Sequence, residues 1–387
     1  MDITIFPKKL SGTVQAIPSK SQAHRLLICA AFADGPTTLL CPETNRDIEA
    51  TADCLRALGA DIQRTGAGYT VTPAKNIPSG AYLNCCESGS TLRFMLPIVG
   101  SLGVKATIKM EGRLPQRPLS PLWEEMERMG CRLSRPTSST ILCEGKLKPG
   151  AYCIAGNVSS QFITGLLFAL DLIPGASSLT ITDKIESVPY INMTKNVLEL
   201  FGKDRHSPGT IAVEGDWSNG AFFLAAKALG NALTITNLNP ESVQGDTAAA
   251  FWLPKLKEHC TICAADIPDL VPILSVVAAC NKGAVFTGIQ RLRLKESDRV
   301  ASVIAMLESL GGKAMATDST LTVYETGLSG GIVSSYNDHR IAMSAAIAAT
   351  MCTEPVTILG AQCVQKSYPR FWEEYARLGG HYEQYLR

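Results

Sequence analysis

"SKSQAHRLLICAAFADGPTTLLCPETNRDIEATADCLRALGAD", residues 19–61, carries the pattern that organises the whole chain. It opens with Ser, Lys and Ser and continues as small apolar residues to Ala33. A Gly-Pro break follows, then the β-like TTLL at 37–40, then a helix pattern from Asp47 with one polar face and a Leu-Gly stop at 58–59. A helix that is apolar nearly all round belongs in a core, and one with a polar face belongs at the surface. Gly after the last apolar residue ends a helix and releases the chain toward a strand. The stretch therefore predicts a buried helix, a strand, and an outer helix leading to further strands.

The pattern recurs six times. Polar-tipped apolar helices also begin at ESGSTLRFMLPIVG (87), NVSSQFITGLLFALD (157), GDWSNGAFFLAAKAL (215), DIPDLVPILSVVAA (266) and YNDHRIAMSAAIAAT (336). Each is followed by a break and a β run such as KATI, SSLTI, ALTIT, AVFTG or PVTIL. Outer helices alternate with them: PLWEEMERMGCRL, YINMTKNVLELFGKD, TAAAFWLPKLKEHC, RVASVIAMLESLGGK and YPRFWEEYARLGG. Pro254 is expected to distort the third of these. A unit of about 50–70 residues repeated this way is a structural repeat, and 387 residues exceed what one core usually serves. The expectation is an α/β (α+β) protein of two domains, three units each, with the apolar helices enclosed by sheets.

Composition narrows the function. Net charge is +1 and 46% of residues are hydrophobic, so no general attraction to nucleic acid or anionic membrane is expected. No apolar run approaches a membrane span, and MDITIFPKKLSG lacks the apolar stretch of a signal peptide. The thirteen cysteines have no framework spacing, and CTIC at 260–263 is a single CxxC, which argues against a zinc site. A cytoplasmic protein with reduced thiols is expected, without metal or cofactor. The chemistry concentrates at the helix tips. Lys20, Ser21, Arg25, Arg93, Ser159, Ser160, Gln161, Asp269 and Arg340 lie at or near the starts of the buried helices, where free N–H groups favour anions. RLKESDRV at 293–300 adds Lys295, Glu296, Asp298 and Arg299 at the start of an outer helix. Such tips suit a small polyanionic substrate. Read singly, Ser21, Ser159 and Asp269 would be helix caps.

Nine motifs in order, PSKSQAHRLL, ESGSTLRF, QRPLSPL, GNVSSQFITGLL, SVPYI, IPDLVPIL, LRLKESDR, YNDHRIAM and QKSYPRFWE, resemble those of the 5-enolpyruvylshikimate-3-phosphate synthases (3-phosphoshikimate 1-carboxyvinyltransferases), over residues 10–376. The resemblance implies six βαβαββ units forming an inside-out α/β barrel arrangement. It divides the chain into residues 1–18 with 225–387, and residues 19–224, with the active site in the cleft between the domains, which is expected to close on substrate. The implied reaction moves the enolpyruvyl group of phosphoenolpyruvate to the 5-hydroxyl of shikimate 3-phosphate, a step of aromatic amino acid biosynthesis, in a monomeric enzyme.

Carried over residue by residue, the resemblance assigns catalysis to Asp269, Glu296 and Lys20. Shikimate 3-phosphate would be held by Lys20, Ser21, Arg25, Ser159, Ser160, Gln161, Ser187, Tyr190, Asp269 and Lys295. Phosphoenolpyruvate would be held by Lys20, Gly89, Arg117, Gln161, Arg299, Arg340 and Lys366. Arg93 would serve domain closure, Asp298 would start its helix, and His24 and His339 would support rather than transfer protons. Glu87 stands where many relatives have Asn, and an acid there would need a cationic partner. Gly89 keeps the space that the inhibitor glyphosate uses. Two other readings are weighed: the sister transferase acting on UDP-N-acetylglucosamine, whose usual Cys is missing from EGRLPQRPL, and a non-catalytic binder, which would not need Lys20, Asp269 and Glu296 together.

Overall fold

The computed structural model describes residues 1–385. The chain folds as two compact units, Pro18–Val213 and Met1–Ile17 with Glu214–Arg387. The second crossover therefore precedes the expected position at 225. Ala225 sits inside a buried helix, Trp217–Ala228, whose Ala221, Phe222 and Phe223 are part of its own unit's core, so the chain enters that unit ahead of the helix.

In the first unit the helices are α1 (Lys20–Ala31), α2 (Arg46–Ala57), α3 (Gly89–Leu102), α4 (Leu122–Arg128), α5 (Ser160–Leu172) and α6 (Val188–Phe201). In the other they are α7 (Trp217–Ala228), α8 (Ala248–Lys255), α9 (Val271–Ala279), α10 (Arg299–Ser309), α11 (His339–Ala348) and α12 (Phe371–Arg377). The division by polarity is physical. Every residue of α9 and α11 is buried, as are nearly all of α3. By contrast α8 buries only Ala249 and Leu253. Pro254 falls one residue from the end of α8, which is short for that reason.

Each unit holds three sheets. Gly80–Asn84 and Lys105–Lys109 pair in parallel across α3, and Thr140–Gly145 and Cys131–Thr137 add an antiparallel hairpin. Cys260–Cys263, Ala284–Thr287, Thr320–Val323 and Ala314–Ala316 repeat that order. Two sheets are completed by distant strands. Thr210–Ala212 runs parallel to Thr37–Leu40, and Asp2–Phe6 inserts antiparallel between Val356–Leu359 and His381–Tyr385. The remaining two are two-stranded: Ala151–Ala155 with Ser178–Thr182, and Ser11–Gln15 with Ala232–Thr236. These repeats stop short of βαβαββ because the chain after α6 and α8 passes at once into another sheet and leaves no residues for a hairpin.

Each unit has its own apolar core, one built around Leu26, Phe94, Ile98, Phe162 and Phe168, the other around Phe222, Ile273, Val276, Ile341 and Ala345. Burying each Leu, Ile or Phe contributes about 1.5–3 kcal/mol. In the first core α5 meets α3 backbone to backbone. A Cβ on Gly165 would lie 2.1 Å from the Arg93 carbonyl oxygen, so only Gly fits. Pro97 leaves that carbonyl without its helical N–H partner, and the closely packed α5 covers it. The contact fixes the tips of both helices, where Gly89, Arg93 and Gln161 lie.

Candidate active site

The expected residues fall into two sets, one in each unit. In the unit Pro18–Val213, Ser19 caps α1, its Oγ accepting from the Gln22 N–H, and this leaves Ser21 inside the first turn. Lys20 Nζ meets Asp47 Oδ2 at 3.0 Å, both side chains largely buried. Asp47 stands in the first turn of α2, where the helix dipole favours an acid. Arg25 is 3% exposed. It donates to Thr194 Oγ1, to the Ser21 carbonyl and to the Tyr190 carbonyl at 2.9, 2.6 and 2.9 Å, and so joins α1 to α6. Burial lowers its pKa to about 10, which still leaves it charged at neutral pH.

Ser159 caps α5 by accepting from the Gln161 N–H, and Ser160 is buried behind it. The Gln161 side chain accepts from Arg93 Nη1 at 3.2 Å and donates to Ser90 Oγ at 2.9 Å. Arg93 also donates to the Pro118 carbonyl at 3.1 Å, which ties it to the loop carrying Arg117. Both guanidinium groups crowd Gly89: a Cβ there would lie 2.5 Å from Arg117 Nη1 and 2.6 Å from Arg93 Nη1. Burial and the charge of Arg117 push the Arg93 pKa well down. Two cations over the N-terminus of α3 make a strong seat for an anion. Glu87 folds over Gly112, beside that loop. Ser187, 2% exposed, holds a left-handed conformation with φ 57° just before α6, and Tyr190 lies in the first turn. A non-Gly residue in that region costs energy, and such positions cluster at functional sites.

In the other unit the centre is Asp269. Its carboxylate receives Arg299 Nη1 at 2.5 Å and Arg340 Nη2 at 2.9 Å, with Lys295 Nζ at 3.8 Å. Asp269 does not cap α9, which starts on Leu270 without a side-chain cap. Burial alone would raise its pKa, but Arg340, Lys295 and Arg299 outweigh burial and hold it well below the usual carboxylate range. Arg299 also donates from Nε to Asp338 Oδ2 at 2.9 Å. Despite burial, Asp338 and Asp269 raise its pKa. Glu296 pairs with His339 Nδ1 at 3.0 Å, and Lys366 Nζ reaches the Asn337 carbonyl at 2.7 Å. Tyr336 and Asn337, with φ 51° and 56°, form a left-handed turn that delivers Asp338, His339 and Arg340 to the start of α11. Asp298 caps α10, as its position in RLKESDRV implied.

Sequence reasoning passed over Asp47 and Asp338. Asp338 had a signal: it directly precedes the His-Arg tip, where it caps α11 and at the same time holds Arg299. Among the described residues, Glu296, Asp338 and His339 come closest to a metal-ligand set. Asp338 is already engaged by Arg299 and Ser297, and a guanidinium there repels a cation.

The profile of the EPSP synthase (3-phosphoshikimate 1-carboxyvinyltransferase) family matches residues 6–375. The 3-phosphoshikimate 1-carboxyvinyltransferase of Clostridium kluyveri is 35% identical, over 99% of this chain and 98% of its own. This chain belongs to the EPSP synthase family. The Clostridium acetobutylicum relative of the same name is 36% identical over 98% of this chain and 97% of its own. The fold of an EPSP synthase from Acinetobacter baumannii superposes with a TM-score of 0.79 at 22% identity, covering 99% of this chain and 100% of that one. The enolpyruvyl transferase NikO of Streptomyces tendae has the same fold, with a TM-score of 0.75 at 16% identity over 99% and 98% of the two chains. The two-unit architecture is thus that of the enolpyruvyl transferases.

Proposed function

We infer that this EPSP synthase family member transfers the enolpyruvyl group of phosphoenolpyruvate to the 5-hydroxyl of shikimate 3-phosphate and releases phosphate, a step of aromatic amino acid biosynthesis. The observation that carries the reading is Asp269 ringed by Arg299, Arg340 and Lys295. Three cations around one carboxylate can bind the carboxylate and phosphate of two substrates, and the carboxylate is left to act as a base.

The chemistry is addition followed by elimination. The methylene carbon of phosphoenolpyruvate takes a proton while the 5-hydroxyl attacks its neighbour and loses its own proton. The tetrahedral ketal then expels phosphate as the new methyl group gives a proton back. Asp269 takes the hydroxyl proton, and Glu296 and Lys20 serve the carbon. With its cations in place Asp269 is a weak base. Substrate anions that draw Arg299, Arg340 and Lys295 to themselves restore its basicity, so proton abstraction waits until both substrates are bound. Arg340, Arg299, Lys366, Arg117, Gly89 and Gln161 hold phosphoenolpyruvate. Ser21, Arg25, Ser159, Ser160, Gln161, Ser187, Tyr190 and Lys295 hold shikimate 3-phosphate. Arginine forks match carboxylate and phosphate, and the same charges stabilise the departing phosphate. Arg25 is also tied to the Ser21 and Tyr190 carbonyls, which helps set the positions of two other shikimate contacts.

Among the described residues no helix is long and apolar enough to cross a membrane. A monomer in the cytoplasm, acting on small molecules alone, fits this reading. Glyphosate competing with phosphoenolpyruvate at Gly89 and Arg117 is an expected outcome. The reaction run in D2O tests the mechanism: the enolpyruvyl methylene of the product gains deuterium if a methyl intermediate forms, and a product without deuterium would overturn addition–elimination.

A further inference from the structure

Arg340 is anchored on two sides. Nη2 donates to Asp269 at 2.9 Å, and Nη1 donates to Ser218 Oγ at 2.6 Å. The Asp246 carboxyl lies beside Ser218, close enough for the hydroxyl to favour its ionised form. Ser218 lies in the first turn of α7, and Asp246 lies in the 3-10 turn Gly245–Thr247 that precedes α8. Ser218, Asp246 and Arg340 are 8%, 4% and 4% exposed. A hydroxyl has one proton, so a serine accepting from an arginine can donate to a single acceptor. With Arg340 donating to Ser218, the serine proton is left for Asp246, which gives the order guanidinium to hydroxyl to carboxyl.

We propose that Ser218 and Asp246 are positioning residues for Arg340, which hold its guanidinium in place while Asp269 exchanges it for substrate. This rests on the reading above, in which Asp269 is a base and Arg340 takes phosphoenolpyruvate. As a base, Asp269 has to loosen its own hold on Arg340. A long side chain released at that moment would have to be ordered again by the ligand, at an entropic cost. The anchor through Ser218 does not involve Asp269 and persists through the exchange, so the fork stays preorganised. A carboxyl group suits the far end of the relay. Asp269 and Asp216 are its acidic neighbours and Arg340 its cationic one; burial and the charge of Asp269 push Asp246 up to about 7, against the pull of Arg340. Near neutral pH it is only partly ionised. It therefore supplies an acceptor without cancelling the positive charge that the substrate anion needs.

Steady-state kinetics on the full chain, with each substrate varied in turn, test the proposal. Ser218→Ala and Asp246→Leu should each raise KM for phosphoenolpyruvate about tenfold, with kcat and KM for shikimate 3-phosphate changed far less. Asp246→Asn, whose side-chain carbonyl can still accept from Ser218, should recover most of the loss. The Ser218→Ala, Asp246→Leu pair should be little worse than either single change, because the two act in series. Equal rises in both KM values, an Asn variant as poor as the Leu variant, or fully additive losses would overturn the relay. Should Asp246→Leu fail to fold, Ser218→Ala and Asp246→Asn decide. A wild-type protein without turnover would overturn the functional reading and the relay with it, whereas active protein with indifferent variants overturns the relay alone.

Discussion

At the scale of single residues, Asp269 is held by three cations, which the proposed mechanism has the substrates draw away. Asp269→Ala should lower kcat by about a thousandfold, the usual worth of a positioned base. Calorimetry should show shikimate 3-phosphate still binding within a few-fold of wild type, because Lys295 and the other unit's residues remain; near-normal turnover would contradict the role. Gly89→Ala places a methyl group within 2.6 Å of both guanidinium groups. KM for phosphoenolpyruvate should rise about tenfold as one charge-assisted hydrogen bond is lost, and an unchanged KM would remove Gly89 from the anion seat. Part of this scale was legible as candidates, since Lys20 and Arg340 stand on polar first turns of apolar helices, Asp269 just before one, and Glu296 in the charged run that leads into an outer helix. Partners were not. Nothing in local sequence says that Asp338 holds Arg299, because that depends on which tips the fold brings together.

At the scale of elements, apolar periodicity named the buried helices, and the Gly stops named the ends of most outer ones. It could not name the packing of α3 against α5. That contact depends on Gly165 meeting the Arg93 carbonyl, which reads in sequence only as one more small residue in an apolar run. Gly165→Ala should destabilise the protein by about 1–3 kcal/mol, the cost of overpacking a core, measured by urea unfolding. Because Arg93 and Gln161 sit at the ends of this contact, activity should fall along with stability; a neutral effect on both would mean that α5 shifts freely. Hairpin strands were also over-read. The expected six complete repeats assume a hairpin after every outer helix, but α6 and α8 run directly into strands of other sheets.

At the scale of the whole molecule, two separate cores allow two separate responses to acid. Asp269 and Asp338 belong to the unit Met1–Ile17 with Glu214–Arg387, and both titrate below the usual carboxylate range despite burial. A carboxylate with a lowered folded pKa adds stability that is complete above its unfolded value, near 4, and is lost as pH falls through the folded one. The other unit's Glu125 is held down chiefly by Arg128, whose side chain is 52% exposed, a weaker arrangement. Hydrogen exchange read by mass spectrometry should show the Asp269 unit opening first as pH drops below about 4; first opening in Pro18–Val213 would contradict this. The two-unit plan was visible in the six repeats, while the second crossover, taken from the resemblance, was placed too late, inside the helix that the sequence already starts at Gly215–Asp216. The most direct test of the account is phosphate release on mixing the protein and phosphoenolpyruvate with shikimate 3-phosphate in one tube and UDP-N-acetylglucosamine in another. Release with shikimate 3-phosphate alone is the predicted result; release only with the nucleotide sugar, or in neither tube, would contradict it.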